Sequence, residues 1–176
     1  MSLPNSRMPD TCSIFSNLSP EEMNQLLPLM EQKKYPEGEP ILKEGLSFQV
    51  LSILLRGRCE VIKTCGGANE QQLAVLETGA VFGEMSFYQS APHSASVRAM
   101  SEVEVLHLTR ENYDQLLNHD PNIAFRIAES IAKILADRLR RMDEWTCGVI
   151  ESPHISVSRK EEWNEFRSKL YTEWEF

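Results

Sequence analysis

The residues of this sequence that could do chemistry lie between Glu77 and Val97, where small side chains and one carboxylate surround two glycines. Gly79 and Gly83 let the backbone turn sharply or approach a ligand closely, because glycine adopts conformations that other residues avoid. Glu84 follows directly, and the next residues predict a short helical turn whose first amides would attract an anion such as phosphate. Since a carboxylate repels phosphate, Glu84 must face hydroxyl groups, and a ribose 2′-hydroxyl is such a group.

A second group of residues, Pro92 to Ser96, follows after a short spacer. Successive backbone N–H groups at Ser94 and Ala95 could form an anion-binding nest. The small side chains of Ser86, Ser94 and Ala95 leave room for a ligand. The two segments together therefore predict one site with a phosphate side and a hydroxyl side.

The two segments resemble the phosphate-binding cassette of the cyclic-nucleotide-binding domain family. The family pattern is approximately F-G-E-L-A-L, a short spacer and P-R-x-A-S/T, and this sequence has Phe82-Gly83-Glu84-Met85-Ser86-Phe87 and then Pro92-His93-Ser94-Ala95-Ser96. The resemblance covers about residues 15–145 in helix, barrel, helix order. It implies a regulatory or sensor domain, with cyclic AMP as the first-choice ligand, cyclic GMP as the second, and no other cofactor. The sequence has no nucleophile–base pair, metal triad or glycine-rich triphosphate loop, so no enzymatic activity is expected.

The resemblance also implies roles for individual residues. Glu84 would bind the ribose 2′-hydroxyl, and backbone amides near Gly83 and Ser86 would hold the cyclic phosphate together with Ser94 and Ala95. The long helix after the barrel would cover the nucleotide, which places Arg138 and Leu139 near the base. The full set of implied ligand-binding residues is Phe82, Gly83, Glu84, Met85, Ser86, His93, Ser94, Ala95, Arg138 and Leu139, and no metal ligand is expected.

The sequence departs from the family pattern at His93, which takes the place of the phosphate-binding arginine. Arginine offers a permanent charge and a two-pronged donor, whereas histidine is mostly neutral at pH 7. Three outcomes follow from this exchange: nucleotide binding survives, becomes dependent on pH, or is replaced by another ligand. The alternative is a degenerate scaffold domain that binds no nucleotide and in which His93 is a surface-loop residue, because fold alone does not establish function.

The element pattern predicts a mainly β fold, a double-stranded β-helix (jelly-roll) barrel with flanking helices. Ser19, Pro20 and Glu22 form a helix-start signature, and this helix should fade before Tyr35-Pro36. From Lys34 to Thr109, short apolar runs alternate with turn residues; they are Pro40–Lys43, Gln49–Leu55, Cys59–Thr64, Gln71–Leu76, Ser94–Met100 and Val103–Leu108. Cys59, Val61 and Lys63 should share one strand face, so Cys59 is interpreted as a buried apolar residue.

The C-terminal third of the chain is predicted to be helical. A short helix from Thr109 or Arg110 should end near His119, and a long one should start with Asp120 as cap and Pro121 in the first position. The apolar stripe of residues 121–142 predicts a homodimer interface. Residues 146–153 are interpreted as a linker and residues 158–174 as a short amphipathic helix, with a protein effector as the unidentified partner.

Composition narrows the remaining possibilities. The formal net charge of -8 and the short, acidic segment 146–176 argue against DNA binding. The 4 cysteines lack metal-ligand spacing and indicate reduced thiols, hence a cytoplasmic location. The sequence has neither a signal peptide nor an apolar run that would predict membrane insertion, and residues 1–14 are interpreted as a disordered or added leader.

Overall fold

Two four-stranded antiparallel sheets form the centre of the structure, a computed structural model that describes residues 12–65 and 69–151. The first sheet has the strand order β1-β8-β3-β6 and the second has the order β2-β7-β4-β5. The strands are β1 (Glu31–Tyr35), β2 (Pro40–Leu42), β3 (Val50–Arg56), β4 (Cys59–Cys65), β5 (Asn69–Leu76), β6 (Val81–Phe82), β7 (Ser96–Ala99) and β8 (Val103–Thr109). The helices are α1 (Pro20–Leu26), α2 (Glu84–Tyr88), α3 (Arg110–His119) and α4 (Pro121–Glu151).

This strand order confirms the predicted jelly-roll topology, with one correction. The described strands form two separate sheets and do not close into a barrel. The core lies between the sheets, because one apolar cluster draws on strands of both: Leu42, Val50, Leu54, Cys59, Phe82, Val97, Ala99, Val103 and Val105. Cys59 is fully buried as predicted, and burial raises the pKa of its thiol to about 11.

The first strand begins earlier than the sequence pattern predicts. Strand β1 starts at Glu31, whereas the pattern places the change from helix to strand near Lys34. Its residues are mostly exposed and show no apolar alternation, so pairing with β8 and not its own pattern defines this strand. The short strand β6 lies outside the predicted apolar runs, since Val81–Phe82 is too brief to show a period.

The N-terminal boundary also needs correction. The predicted capping box is present, because Ser19 Oγ accepts a hydrogen bond from the Glu22 amide and the Glu22 carboxylate accepts one from the Ser19 amide. Upstream of it, however, Cys12 and Ile14 are buried, with Ile14 only 1% exposed. The ordered domain therefore includes the last residues of the predicted leader, and residues 1–11 of that leader lie outside the described part.

Helix α4 continues into the segment that was predicted to be a linker. Asp120 caps it as expected, accepting hydrogen bonds from the amides of Asn122 and Ile123 at 3.2 and 3.3 Å. The helix then continues to Glu151, through the segment that the sequence marks as a linker from residue 146. One glycine, Gly148, costs a helix only about 1 kcal/mol, which does not end it. The chain forms two compact units that divide after Ile131, and the predicted helix at residues 158–174 lies outside the described residues.

A buried polar network lies across the first sheet. The ring of His107 on β8 contacts Ser52 Oγ through Nδ1 at 2.9 Å and Tyr35 Oη through Nε2 at 2.8 Å. A neutral imidazole has one N–H and one bare nitrogen, so it donates one of these bonds and accepts the other. Burial, reinforced by the charge of Lys33 and opposed by that of Glu31, lowers the pKa of His107 from 6.5 to about 4. The ring is therefore neutral in the folded domain.

This network makes the stability of the domain dependent on pH. The unfolded chain binds a proton at His107 more readily than the folded chain does, so stability is lost as pH falls below 6.5. The expected loss is roughly 1.4 kcal/mol per pH unit, ending near the folded pKa. Urea unfolding at pH 7.5 and 5 measures it, with His107→Gln as the control that removes this contribution. Equal pH dependence in the wild type and the variant would contradict the assignment.

Candidate functional site

A sharp turn at Gly83 begins the candidate site. Strand β6 pairs with β3 so that Phe82 lies opposite Ser52, and the chain then turns at Gly83 with φ 83°. A Cβ atom built at Gly83 would lie 2.4 Å from the backbone carbonyl oxygen of Val50. Both the backbone conformation and the close approach to β3 therefore require glycine here, in agreement with the motif.

Helix α2 follows the turn and confirms the predicted helical segment. It spans Glu84–Tyr88, and both Glu84 and Ser86 are buried. Met85 in the same helix is 62% exposed. The alternation places the carboxylate and the hydroxyl on the inner side of the turn and the methionine on the outer side. Glu84 is therefore held by the fold and not left as an exposed carboxylate.

His93 joins the second half of the motif to the first. Its Nδ1 lies 2.7 Å from Ser86 Oγ, and Ser86 Oγ in turn donates to the Gly83 carbonyl at 3.3 Å. A hydroxyl has one hydrogen, so there are two arrangements: Ser86 Oγ donates to Gly83 and accepts from Nδ1–H, or it donates to Nδ1 and the ring proton sits on Nε2. Among the described residues, Nε2 is buried and has no hydrogen-bond partner.

The burial of His93 corrects one prediction. The degenerate-scaffold alternative describes His93 as a surface-loop residue, but its side chain is only 7% exposed. Burial lowers the pKa of His93 below its ordinary value of 6.5, so the ring is neutral at pH 7. Sequence reasoning missed this because loop composition alone does not show which loop side chain turns inward.

The loop that carries His93 is hydrogen-bonded to the turn between β2 and β3. The His93 amide donates to the Leu46 carbonyl at 2.9 Å, and the Gly45 amide donates to the His93 carbonyl at 3.0 Å. The Glu44 amide also donates to Ser96 Oγ at 2.9 Å. These three bonds hold the loop against the turn between β2 and β3.

One cation reaches this loop from β4. The ammonium group of Lys63 donates to the Ser94 carbonyl at 2.5 Å and lies 3.7 Å from the Glu44 carboxylate. Glu44 also accepts a hydrogen bond from the Thr64 amide, which lowers the pKa of Glu44. Sequence reasoning placed Lys63 on the Cys59 face of its strand but gave it no role. Only the pairing of β4 with β7 shows that this face meets the His93 loop.

The remaining predicted site residues fall into two groups. Ser94 is exposed and Ala95 is half-buried, next to His93 in the loop. Arg138 and Leu139 lie on α4 beyond Ile131, in the second unit, and both are exposed. The structure thus brings together the cassette residues 82–86 and 93–95. The assignment of Arg138 and Leu139 to the nucleotide base stays a prediction.

An aromatic cluster connects α2 with α3. The ring of Phe87 contacts those of Tyr88 and Tyr113 edge to face, with centroids 5.2 and 5.3 Å apart. The guanidinium of Arg110 lies 5.4 to 5.9 Å from the centroids of all three rings, within the range of cation–π attraction. Tyr113 Oη also donates to the Ala124 carbonyl on α4 at 3.0 Å. These contacts join α2 to α3 and α3 to the start of α4.

Comparisons with known proteins agree with this geometry. A sequence profile described as "Cyclic nucleotide-binding domain" matches residues 32–120. The chain is 36% identical over 130 residues to a "Cyclic AMP receptor protein" of Thermus thermophilus, covering 74% of this chain and 58% of that protein. It is 32% identical over 113 residues to a "cAMP-dependent protein kinase regulatory subunit" of Emericella nidulans, covering 64% of this chain and 27% of that protein.

A solved structure supports the same fold. The crystal structure of a cyclic nucleotide-binding domain from Methylobacillus flagellatus KT matches with a TM-score of 0.73 and 28% identity, covering 80% of this chain and 79% of that one. The chain spans less than two thirds of the length of the two relatives named above. None of the helices in the described residues has the length and hydropathy that a membrane span requires. The profile match, the jelly-roll topology and the assembled cassette show that this chain belongs to the cyclic nucleotide-binding domain family.

Proposed function

We propose that this chain is a regulatory domain that binds a 3′,5′-cyclic nucleotide, with cyclic AMP preferred over cyclic GMP. The observation that carries the proposal is the assembly of both cassette segments into one site, in which the Ser86–His93 contact of 2.7 Å joins them. The segments are separated in the chain and meet only in the fold. Such a meeting of a buried carboxylate and a small-residue loop supports a shared ligand.

Each part of the site has a chemical role in this proposal. Glu84 accepts a hydrogen bond from the ribose 2′-hydroxyl, and its burial makes such a bond strong because water competes less for it. Backbone amides of Ser94 and Ala95 donate to the cyclic phosphate. The proposal assigns Arg138 and Leu139 to the base. Met85 is exposed, and its Sδ lies 3.9 Å from Ser94 Oγ in the second cassette segment.

Ligand binding would be transmitted through helices. The Phe87–Tyr113 contact and the bond from Tyr113 to Ala124 connect the cassette helix with the start of α4. Farther along α4, Leu135, Leu139 and Met142 are exposed apolar residues at helical spacing. We propose that this stripe forms a homodimer, and that an as yet unidentified protein effector responds to the ligand-dependent position of α4.

A second candidate function is supported by one observation. The neutral, buried state of His93 deprives the phosphate side of the cation that the family pattern supplies there. A domain without that charge could serve as a scaffold that keeps the fold and binds no nucleotide. The two functions differ in whether restoring the charge matters, which the next experiment measures.

Replacing His93 with arginine tests the proposed function. In His93→Arg, affinity for cyclic AMP should rise by roughly 10- to 100-fold, since a charge-assisted hydrogen bond contributes about 1.5–3 kcal/mol. In the wild type, affinity should be higher at pH 6 than at pH 8. A phosphate favours the imidazolium, and the free ring gains its proton only below 6.5. The variant should show no such dependence on pH.

Isothermal titration calorimetry of both proteins at pH 6 and pH 8 supplies the measurement. Circular dichroism at each pH serves as the folding control, because protonation of His107 weakens the fold in the same range. An absence of heat for both proteins at millimolar cyclic AMP would favour the scaffold function and contradict the proposal.

A further inference from the structure

The phosphate side of the site needs a positive charge that His93 does not supply at neutral pH. A cyclic phosphate is a monoanion, and anion sites in proteins combine backbone amides with a cation. The ring of His93 contacts Ser86 through Nδ1 and is neutral at pH 7, while Nε2 is buried without a hydrogen-bond partner among the described residues. A neutral ring supplies no permanent charge to a phosphate. The charge must therefore come from a different residue.

Lys63 lies where such a charge is needed. The β4–β7 ladder ends at the pair Ile62–Ser96; Lys63 directly follows Ile62 in the chain, and Ala95 directly precedes Ser96. Its ammonium group donates to the Ser94 carbonyl at 2.5 Å. That carbonyl belongs to the same peptide unit as the Ala95 amide. A cation on the carbonyl polarises the peptide and strengthens the amide as a donor to the ligand.

The ammonium group of Lys63 has N–H donors that its present contacts do not use. It has three N–H donors, and the Ser94 carbonyl accepts from one of them. The Glu44 carboxylate lies 3.7 Å away, beyond hydrogen-bond distance, and Glu44 already accepts from the Thr64 amide at 2.9 Å. By comparison, Lys33 and Glu31 on β1 form a closer pair at 3.0 Å. Lys63 thus keeps N–H donors for an anion, and it shares its charge with Glu44 in a long ion pair.

We infer that Lys63 supplies the permanent positive charge for the phosphate of the bound cyclic nucleotide, in place of the arginine of the family cassette. This inference rests on the proposed function. It moves the cation from the cassette loop to the neighbouring strand β4, while the loop keeps its backbone amides. The site then takes an anionic phosphodiester and discriminates against the uncharged nucleoside.

The test compares Lys63→Met with Lys63→Arg, which keeps the charge, and with Lys33→Met. Lys33 is the matched control because it also lies on a strand, is half-exposed and is paired with a glutamate, but belongs to the other sheet. Calorimetric titration with cyclic AMP at pH 8 should show about tenfold weaker binding for Lys63→Met, the lower end for a charged hydrogen bond at a half-exposed site. Lys63→Arg and Lys33→Met should stay within about twofold of the wild type.

Two further measurements separate this inference from the proposed function. Raising the salt concentration should weaken binding to the wild type more than binding to Lys63→Met, because only the former has this charge pair to screen. Adding His93→Arg to Lys63→Met should restore affinity.

If the wild type binds cyclic AMP and Lys63→Met binds equally well, the inference is wrong while the proposed function stands. If the wild type binds nothing and His93→Arg alone binds, Lys63 supplies no useful charge and the inference is wrong. If no variant binds, the proposed function fails and the inference fails with it.

Discussion

Glu84→Gln is expected to weaken the binding of cyclic AMP by about 10- to 100-fold while leaving the domain folded. The variant keeps the size and shape of a buried side chain but removes its charge, so a charge-assisted hydrogen bond from the ribose 2′-hydroxyl, which contributes about 1.5–3 kcal/mol, is lost. Calorimetric titration measures the affinity, and urea unfolding verifies the fold.

The ligand provides the matched control for this prediction. A 2′-deoxy form of cyclic AMP lacks the hydroxyl that Glu84 is proposed to bind. The wild type should therefore bind it about 10- to 100-fold more weakly than cyclic AMP, and Glu84→Gln should bind the two nucleotides with similar affinity. If Glu84→Gln discriminates between them as strongly as the wild type does, Glu84 is not the ribose contact.

Gly83→Ala is expected to destabilise the domain by roughly 2–5 kcal/mol, a large part of the usual stability of a domain. Part of the loss, about 1–2 kcal/mol, comes from the left-handed backbone at φ 83°, which a Cβ atom disfavours. A further 1–3 kcal/mol or so comes from overpacking, since the new Cβ would lie 2.4 Å from the Val50 carbonyl oxygen. The Val50 carbonyl belongs to the backbone of the central strand β3, so it can shift little to relieve the clash.

Gly38→Ala separates these two contributions in urea unfolding experiments. Gly38 has the same φ of 83°, but nothing lies within 4 Å of a Cβ atom built there. Gly38→Ala should therefore lower the free energy of unfolding only by the backbone contribution, about 1–2 kcal/mol. Equal losses of unfolding free energy in Gly38→Ala and Gly83→Ala would show that the close approach of Gly83 to β3 does not contribute to the destabilisation.

The parts of the fold set by neighbouring residues could be predicted from the sequence. The capping box of Ser19 and Glu22, the cap at Asp120 and the glycine turn at Gly83 are local arrangements, and the structure contains all three. The parts set by distant pairing could not. Strand β1 owes its conformation to β8. The extension of α4 to Glu151 differs from the prediction for a local reason: Gly148 indicates a loop, but a single glycine costs a long helix only about 1 kcal/mol.

The same distinction applies to the site. The cassette motif named Glu84 and Ser94 as site residues in two short segments, because the residues that form each half are adjacent in sequence. The burial of His93, its bond to Ser86 and the approach of Lys63 from β4 depend on how the loop packs against another strand. The sequence shows that His93 replaces the family arginine. The packing shows that Lys63 is a cation beside the same loop.

The central claim is that a cyclic nucleotide occupies the assembled cassette, and amide chemical shifts report on it most directly. In a ¹H–¹⁵N NMR titration of the chain with cyclic AMP, saturable shifts should concentrate at the amides of Gly83, Glu84, Ser86, Ser94 and Ala95. Smaller shifts are expected in α3 and at the start of α4, which the aromatic cluster connects to α2. Unchanged spectra at millimolar ligand, or shifts confined to residues away from the cassette, would contradict the account.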